Sequence, residues 1–256
     1  MLVGFANGIA PRIGASVAEQ GWATALLVTF DISAIVWIGC GMLLSILWHA
    51  PDAPVRRADW AMAAFCLVAF LLPLGQAAWV ALTLLSIYLA ATSPARSALR
   101  RGALVLFMLC LPMLWARLLL SAFSAVLLNT DAALVAAIAG TRAVENAVPF
   151  ADGSGHLWIA PACSSVLNLS LTLLCAVLFC VGSGLAWSWR MAGWTALACL
   201  AVAAINIARL TALVLLPASY DQIHGPEGAA AVGLLMLAVM VGILAFGTRH
   251  ERARLG

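Results

Sequence analysis

Three short stretches hold residue types that could do chemistry together: Pro161-Ala162-Cys163-Ser164-Ser165, Asn206-Ile207-Ala208-Arg209 and His224-Gly225-Pro226-Glu227-Gly228. Cys163 stands at an expected helix N-terminus near water, where the helix dipole and free backbone N–H groups favour the nucleophilic thiolate. Arg209 lies inside the apolar run 201–216, and a guanidinium there is costly unless it faces a polar cavity or a partner. Asn206, three residues earlier, shares its helical face and can hydrogen-bond into the same pocket. His224, in the connection 218–228, can reach the mouth of that pocket. Together they would supply a nucleophile, an anion stabiliser and an acid/base. Each has a blander reading. Cys163 could be a boundary cysteine with no role, Arg209 could snorkel outward or pair with a carboxylate such as Asp221, and His224 could be an ordinary loop histidine. His156 lies nearer Cys163 in sequence, and local chemistry does not choose between it and His224. His49 and His250 are excluded by their predicted side of the membrane.

The elements that must position these groups are membrane helices. The chain has 256 residues, 65% hydrophobic and 9% charged, and repeatedly runs for about 20 apolar residues, enough to cross a hydrocarbon core. These runs lack the alternation of barrel strands, and lipid demands internal backbone hydrogen bonding, so the fold class is an all-α polytopic membrane protein. The spans read as 22–48, 59–74, 76–91, 102–120, 163–187, 191–216 and 229–247, about seven in all. Asp31 interrupts the first, either as the outer end of a shorter helix from Ile32 or as a carboxylate facing the bundle interior. Arg56 and Arg57, then Arg96, Arg100 and Arg101, then Arg190, then Arg249, Arg252 and Arg254 fall in alternate connections. The positive-inside rule makes those connections cytoplasmic, the N-terminus outside and the C-terminus inside. Cys163, Arg209 and His224 then share the extracytoplasmic face.

Residues 1–256 read as a single integral-membrane domain with one extracytoplasmic insertion, 121–162. A connection of that length usually carries function. Its first part, 121–139, suits a helix lying at the membrane interface, with a break at Asn129-Thr130-Asp131 and an end at Gly140. Its second part reads as a β-hairpin: Ala143 to Val148, a turn at Asp152-Gly153-Ser154-Gly155, then His156 to Ile159. The return strand leads directly to Pro161, which is well tolerated at a helix start, and to Cys163.

Composition excludes several classes. The net charge is only +3 and the arginines are scattered over helix ends, unlike the clustered stripe of a nucleic-acid binder. Lysine is absent, which rules out a retinal Schiff base. Cys40, Cys66, Cys110, Cys175, Cys180 and Cys199 lie in apolar spans as small hydrophobes, and no C-x-x-C pair is present to generate disulfides. Arg12 comes late and Pro11 interrupts, so no cleaved signal peptide is expected. No metal or cofactor is expected.

Taken as an ordered set, these stretches resemble the exosortase/archaeosortase family of membrane cysteine transpeptidases. The family pattern is an Ala-Cys-Ser-Gly stretch, an Asn-x-x-Arg stretch and a later histidine. The matching residues are Ala162-Cys163-Ser164-Ser165, Asn206-Ile207-Ala208-Arg209 and His224, with Gly228 following at family-like spacing. The likeness covers roughly 111–228. The chain departs from the pattern at Ser165, where glycine is common, and at Val166-Leu167, where many members carry bulkier polar or basic residues. The resemblance implies His224 over His156, and catalysis by Cys163, Arg209 and His224 with Asn206 and Ser164 in support. It implies as substrates exported proteins that end in a short motif, a transmembrane helix and a basic tail. It also implies a multi-pass protein of the cytoplasmic membrane. Two other classes compete on the residues alone: a non-catalytic scaffold or transporter, which would use Cys163 for packing, and a membrane thiol acyltransferase.

Overall fold

Apolar runs of this length can satisfy their backbone in lipid only as helices, and the chain is helical almost throughout. The computed structural model describes residues 1–51 and 54–255, in two compact units, Met1–Trp115 and Ala116–Gly256. Among the described residues, five helices are long and apolar enough to cross a membrane: Gly75–Thr92, Ala98–Ala122, Ser165–Gly182, Trp189–Leu215 and Pro226–Arg254. The protein is a multi-pass α-helical membrane protein carrying one small hairpin.

The first unit contains α1 (Leu2–Leu27), α2 (Ala34–Trp48), α3 (Arg57–Leu71), α4 (Gly75–Thr92) and α5 (Ala98–Cys110). The expected first span, 22–48, is divided. Gly21 leaves helical geometry at φ 77°, and Thr29, Phe30 and Asp31 all take positive φ in a short turn. Ser33 then caps α2, its side chain accepting from the Ile35 N–H at 3.3 Å. Asp31 is an exposed helix-end aspartate that accepts from Gln20 Nε2 at 3.3 Å. At 15 residues each, α2 and α3 are shorter than the full crossing length. α3 starts where the Asp59 carboxylate accepts from the Arg56 N–H at 2.6 Å and the Tyr88 hydroxyl at 2.5 Å. It ends at Leu72, held extended by the proline that follows. α1 packs on α4 where Gly8 leaves room for the Trp79 indole, whose Nε1 donates to the Gly8 carbonyl at 3.0 Å. After α5, Leu111–Trp115 forms a π-helical turn around Pro112, which has no N–H to give to an α-helical ladder.

The second unit holds the insertion and the three expected site stretches. It runs α6 (Ala116–Ala122), α7 (Ser124–Ala139), β1 (Ala147–Pro149), β2 (His156–Trp158), α8 (Ser165–Gly182), α9 (Trp189–Leu215), α10 (Tyr220–His224) and α11 (Pro226–Leu255). α7 continues unbroken through Asn129-Thr130-Asp131, against the break expected from sequence. Thr130 turns its hydroxyl back onto the Val126 carbonyl at 2.7 Å and Asp131 is bound elsewhere, so neither side chain competes for the local backbone N–H groups. Gly140 ends the helix in the left-handed region, φ 71°, as expected.

The hairpin is present and shorter than the sequence implies. Ala147, Val148 and Pro149 pair antiparallel with Trp158, Leu157 and His156. Strand alternation sends Val148, Leu157 and Ile159 inward and leaves Trp158 exposed. The inward residues join Val135 and Ala136 of α7 and Leu210, Leu213 and Val214 of α9 in one core. Burial at about 1.5–3 kcal/mol for each large side chain fixes the hairpin to the helices. The Ala151 N–H adds a hydrogen bond of 3.0 Å to the Val214 carbonyl near the end of α9.

Candidate active site

The thiol stands just outside a helix. Pro161–Cys163 forms a single 3-10 turn, and α8 begins only at Ser165, so Cys163 precedes the first helical residue by two positions instead of opening the helix. Ser164 is the cap: its Oγ accepts from the Val166 N–H at 3.4 Å. Cys163 is half-buried against the core made by α7, the hairpin and α9. The other six cysteines lie within helices, and all seven are free thiols.

Asn206 ties this turn to α9. Its side chain is 2% exposed, and Nδ2 donates both to the Cys163 carbonyl at 2.9 Å and to Ser165 Oγ at 3.1 Å. A buried amide without those acceptors would cost about 1–3 kcal/mol, so the contact fixes the height of the cysteine turn on α9.

Behind Ser165 lies Asp131, a residue the sequence reading placed only at an expected helix break. Its side chain is 8% exposed. One carboxylate oxygen accepts from the Ser165 N–H at 3.3 Å and the other from Ser165 Oγ at 3.4 Å. Asp131, Ser165, Asn206 and the Cys163 carbonyl therefore form a continuous polar ladder from α7 to α9. The sequence offered one signal for Asp131, a lone acid in an alanine- and leucine-rich helix. Ser165 supplies the hydroxyl that this acid receives.

One turn along α9 from Asn206, Arg209 is half-buried. Its Nη2 donates to the Ile223 carbonyl at 3.4 Å. Nε is buried and finds no hydrogen-bond partner, and no ion pair joins Arg209 to Asp221 among the described residues. Ile223 is the neighbour of His224 in α10, so the guanidinium holds the helix that carries the imidazole. The His224 ring is exposed and stacks on Tyr220, centroids 5.0 Å apart, and Tyr220 meets Phe150 of the hairpin edge-on at 6.1 Å. The corner after His224 is tight: at Gly228 any Cβ would strike the Gln222 and Ile223 carbonyls.

The second unit thus gathers the cysteine turn, the Asn206–Arg209 face, the hairpin and the histidine helix at one end. Among the described residues, no hydrogen bond joins the Cys163, Arg209 and His224 side chains directly. His156 is exposed at the turn end of β2, and the extended residues 156–160 carry it about 13 Å along the strand from the cysteine turn. Around the hairpin turn, Asp152 receives the Ser154 hydroxyl and N–H, which hold its carboxyl below the usual carboxylate range. No group of three or more His, Cys, Asp and Glu side chains is gathered as a metal site among the described residues. The chain matches no protein-family model, no curated protein and no solved structure.

Proposed function

We propose that the protein is an exosortase-like membrane cysteine peptidase or transpeptidase that removes the C-terminal sorting signal of exported proteins. One observation carries this reading: a single face of α9 binds the cysteine turn through Asn206 and, one turn on, the histidine helix through Arg209. In this mechanism the Cys163 thiolate attacks the scissile carbonyl and forms a tetrahedral oxyanion. Arg209, with a buried and unpartnered Nε–H, stabilises that charge. Collapse forms a thioester and breaks the C–N bond, and His224 protonates the departing amine. His224 then takes a proton from water or from an acceptor nucleophile, whose attack releases Cys163. Ser164 and Asn206 hold the thiol turn during both steps.

The seven-span, N-outside arrangement belongs to the same proposal and puts the site on the extracytoplasmic face of the cytoplasmic membrane. A substrate would then reach Cys163 with its own transmembrane helix still in the bilayer and its basic tail in the cytoplasm.

The test is co-expression with an exported protein ending in a motif, an apolar helix and arginines, followed by mass spectrometry of its new C-terminus. The wild-type chain should yield a product shortened at the motif, and Cys163→Ala should yield none while remaining folded in the membrane. A normal product from Cys163→Ala would end the thiol mechanism.

A further inference from the structure

The opposite end of the second unit holds a groove with no part in this chemistry. α9 starts there and α11 ends there, and between them lies an open cleft of about 480 Å³ lined by Arg190, Trp194, Leu197, His250, Glu251 and Arg254. One wall is aromatic. Trp194 stands edge-on to Phe246 at 5.4 Å and to His250 at 6.4 Å, and the His250 ring lies parallel to Phe246. Gly247 lets α11 approach at this level, because Trp194 fills the space a Cβ would need.

Charge in the groove is sorted by depth. The Glu251 side chain is 10% exposed and accepts from Ser188 Oγ at 3.4 Å, while Arg190 Nη1 lies 3.9 Å away on a side chain that is 55% exposed. The acid is turned inward at the floor of the groove, its Oε2 held by Ser188 and its Oε1 buried without a hydrogen-bond partner. Arg254 is exposed on the facing helix. Outward, the groove presents two guanidinium groups, each a planar fork of donors suited to phosphate oxygens.

Farther along α9 the surface becomes apolar, with Leu197 and Leu200 exposed, as is Phe246 on α11. Both helices have the length and composition to cross a membrane, and an exposed apolar strip at this level suits acyl chains. A basic peptide would be repelled by the arginines, and a small soluble anion would leave the apolar strip unused. The complementary occupant is amphipathic, with an anionic head and acyl chains. We infer that this groove binds the phosphate of an anionic phospholipid, held by Arg190 and Arg254 with the acyl chains along Leu197 and Leu200.

The experiment is native mass spectrometry of the full chain in neutral detergent, titrated separately with phosphatidylglycerol and with phosphatidylcholine of the same chain length. Phosphatidylglycerol should bind at least about tenfold more tightly, the scale of one charge-assisted hydrogen bond. The double variant Arg190→Gln/Arg254→Gln should abolish that preference. Arg254→Gln, which leaves the contact between Arg190 and Glu251 intact, should reduce it several-fold and keeps the test valid should the double variant misfold. Arg249→Gln/Arg252→Gln, on the neighbouring face with Phe179 and Ser183, should keep the preference. Equal binding of the two lipids, an unchanged preference in a folded Arg254→Gln, or an equal loss in the control pair would each overturn the assignment. Inorganic phosphate competing as well as the lipid would overturn it too, because it would make the groove a simple anion site.

Discussion

The two ends of the second unit both bury a carboxylate and differ in where they put the cation. At the thiol end a carboxylate, Asp131, is buried and bound by the neutral donors of Ser165, while a guanidinium, Arg209, is half-buried with one N–H unpartnered. At the other end Glu251 is buried beside Arg190, its Oε1 also without a hydrogen-bond partner, and the cations face outward. An exposed arginine satisfies its donors with water or lipid headgroups. A buried unpartnered donor costs about 1–3 kcal/mol, a feature that calls for an explanation in the native structure. The comparison separates an end organised around an inward-facing cation from an end that displays its cations.

The sharpest way to break that contrast is through the imidazole. His224→Ala should lower processing by about the hundred- to ten-thousandfold associated with a general acid/base, whereas His156→Ala, at equal protein level, should alter hairpin stability or substrate fit. The reverse ranking, read by product mass spectrometry, would move the acid/base to the hairpin. Next comes the cation itself. Arg209→Lys keeps the charge and loses the planar fork of donors, so it should insert normally yet lose about a hundred- to thousandfold in kcat. Near-wild-type turnover would show that charge alone suffices, and full activity in Arg209→Ala would remove the residue from the mechanism.

The buried carboxylate gives a smaller effect. Asp131→Asn removes a charged acceptor beneath Ser165 and should destabilise the start of α8 by about 1–3 kcal/mol. The rate of Cys163 alkylation by iodoacetamide should change with it, a readout that damage elsewhere in α7 would not move. Ser165→Gly should cost less, since the backbone N–H to Asp131 survives. Equal alkylation rates in wild type and Asp131→Asn would reduce the ladder to packing.

The smallest expected effect lies in the hairpin turn and concerns pH. The fold lowers the Asp152 carboxyl below its ordinary value, so its contribution is complete above the unfolded value, about 3.9. It is lost as pH falls through the lower folded value. Amide exchange at Gly153 and Ser154 should speed up on that descent, and Ser154→Ala should shift the onset to higher pH. Exchange that is flat with pH would show the turn to be independent of the carboxylate.

How much of this was legible in the sequence follows from the range of the interactions. The helical class, the end of α7 at Gly140 and the hairpin before Pro161 were readable because periodicity, a left-handed cap and turn residues are local signals. Asn206 and Arg209 were readable as a pair because a separation of three residues places them on one helical face. Asp131 was not, since its partner Ser165 lies 34 residues away and only tertiary packing joins them. Asp31 marked the interruption of the first run, with a shorter helix from Ile32 as one reading, and the structure ends the turn there; only its left-handed backbone was hidden, because none of Thr29, Phe30 and Asp31 is a glycine. Pro161 marked the approach to α8, but the first helical position was set by the Ser164 cap, which left Cys163 on the turn.

Gly228 has a consequence for how this part of the chain can vary. The space beside its α-carbon is already taken by the carbonyls of Gln222 and Ile223, and the Ile223 carbonyl is the acceptor for Arg209. A single added methyl must displace that carbonyl, with overpacking strain of about 1–3 kcal/mol. Gly228→Ala is thus a one-carbon wedge that reaches the guanidinium while leaving the thiol, the imidazole and the arginine chemically intact. Clearance at one backbone corner, not reactivity, sets the tolerance of this segment to sequence drift.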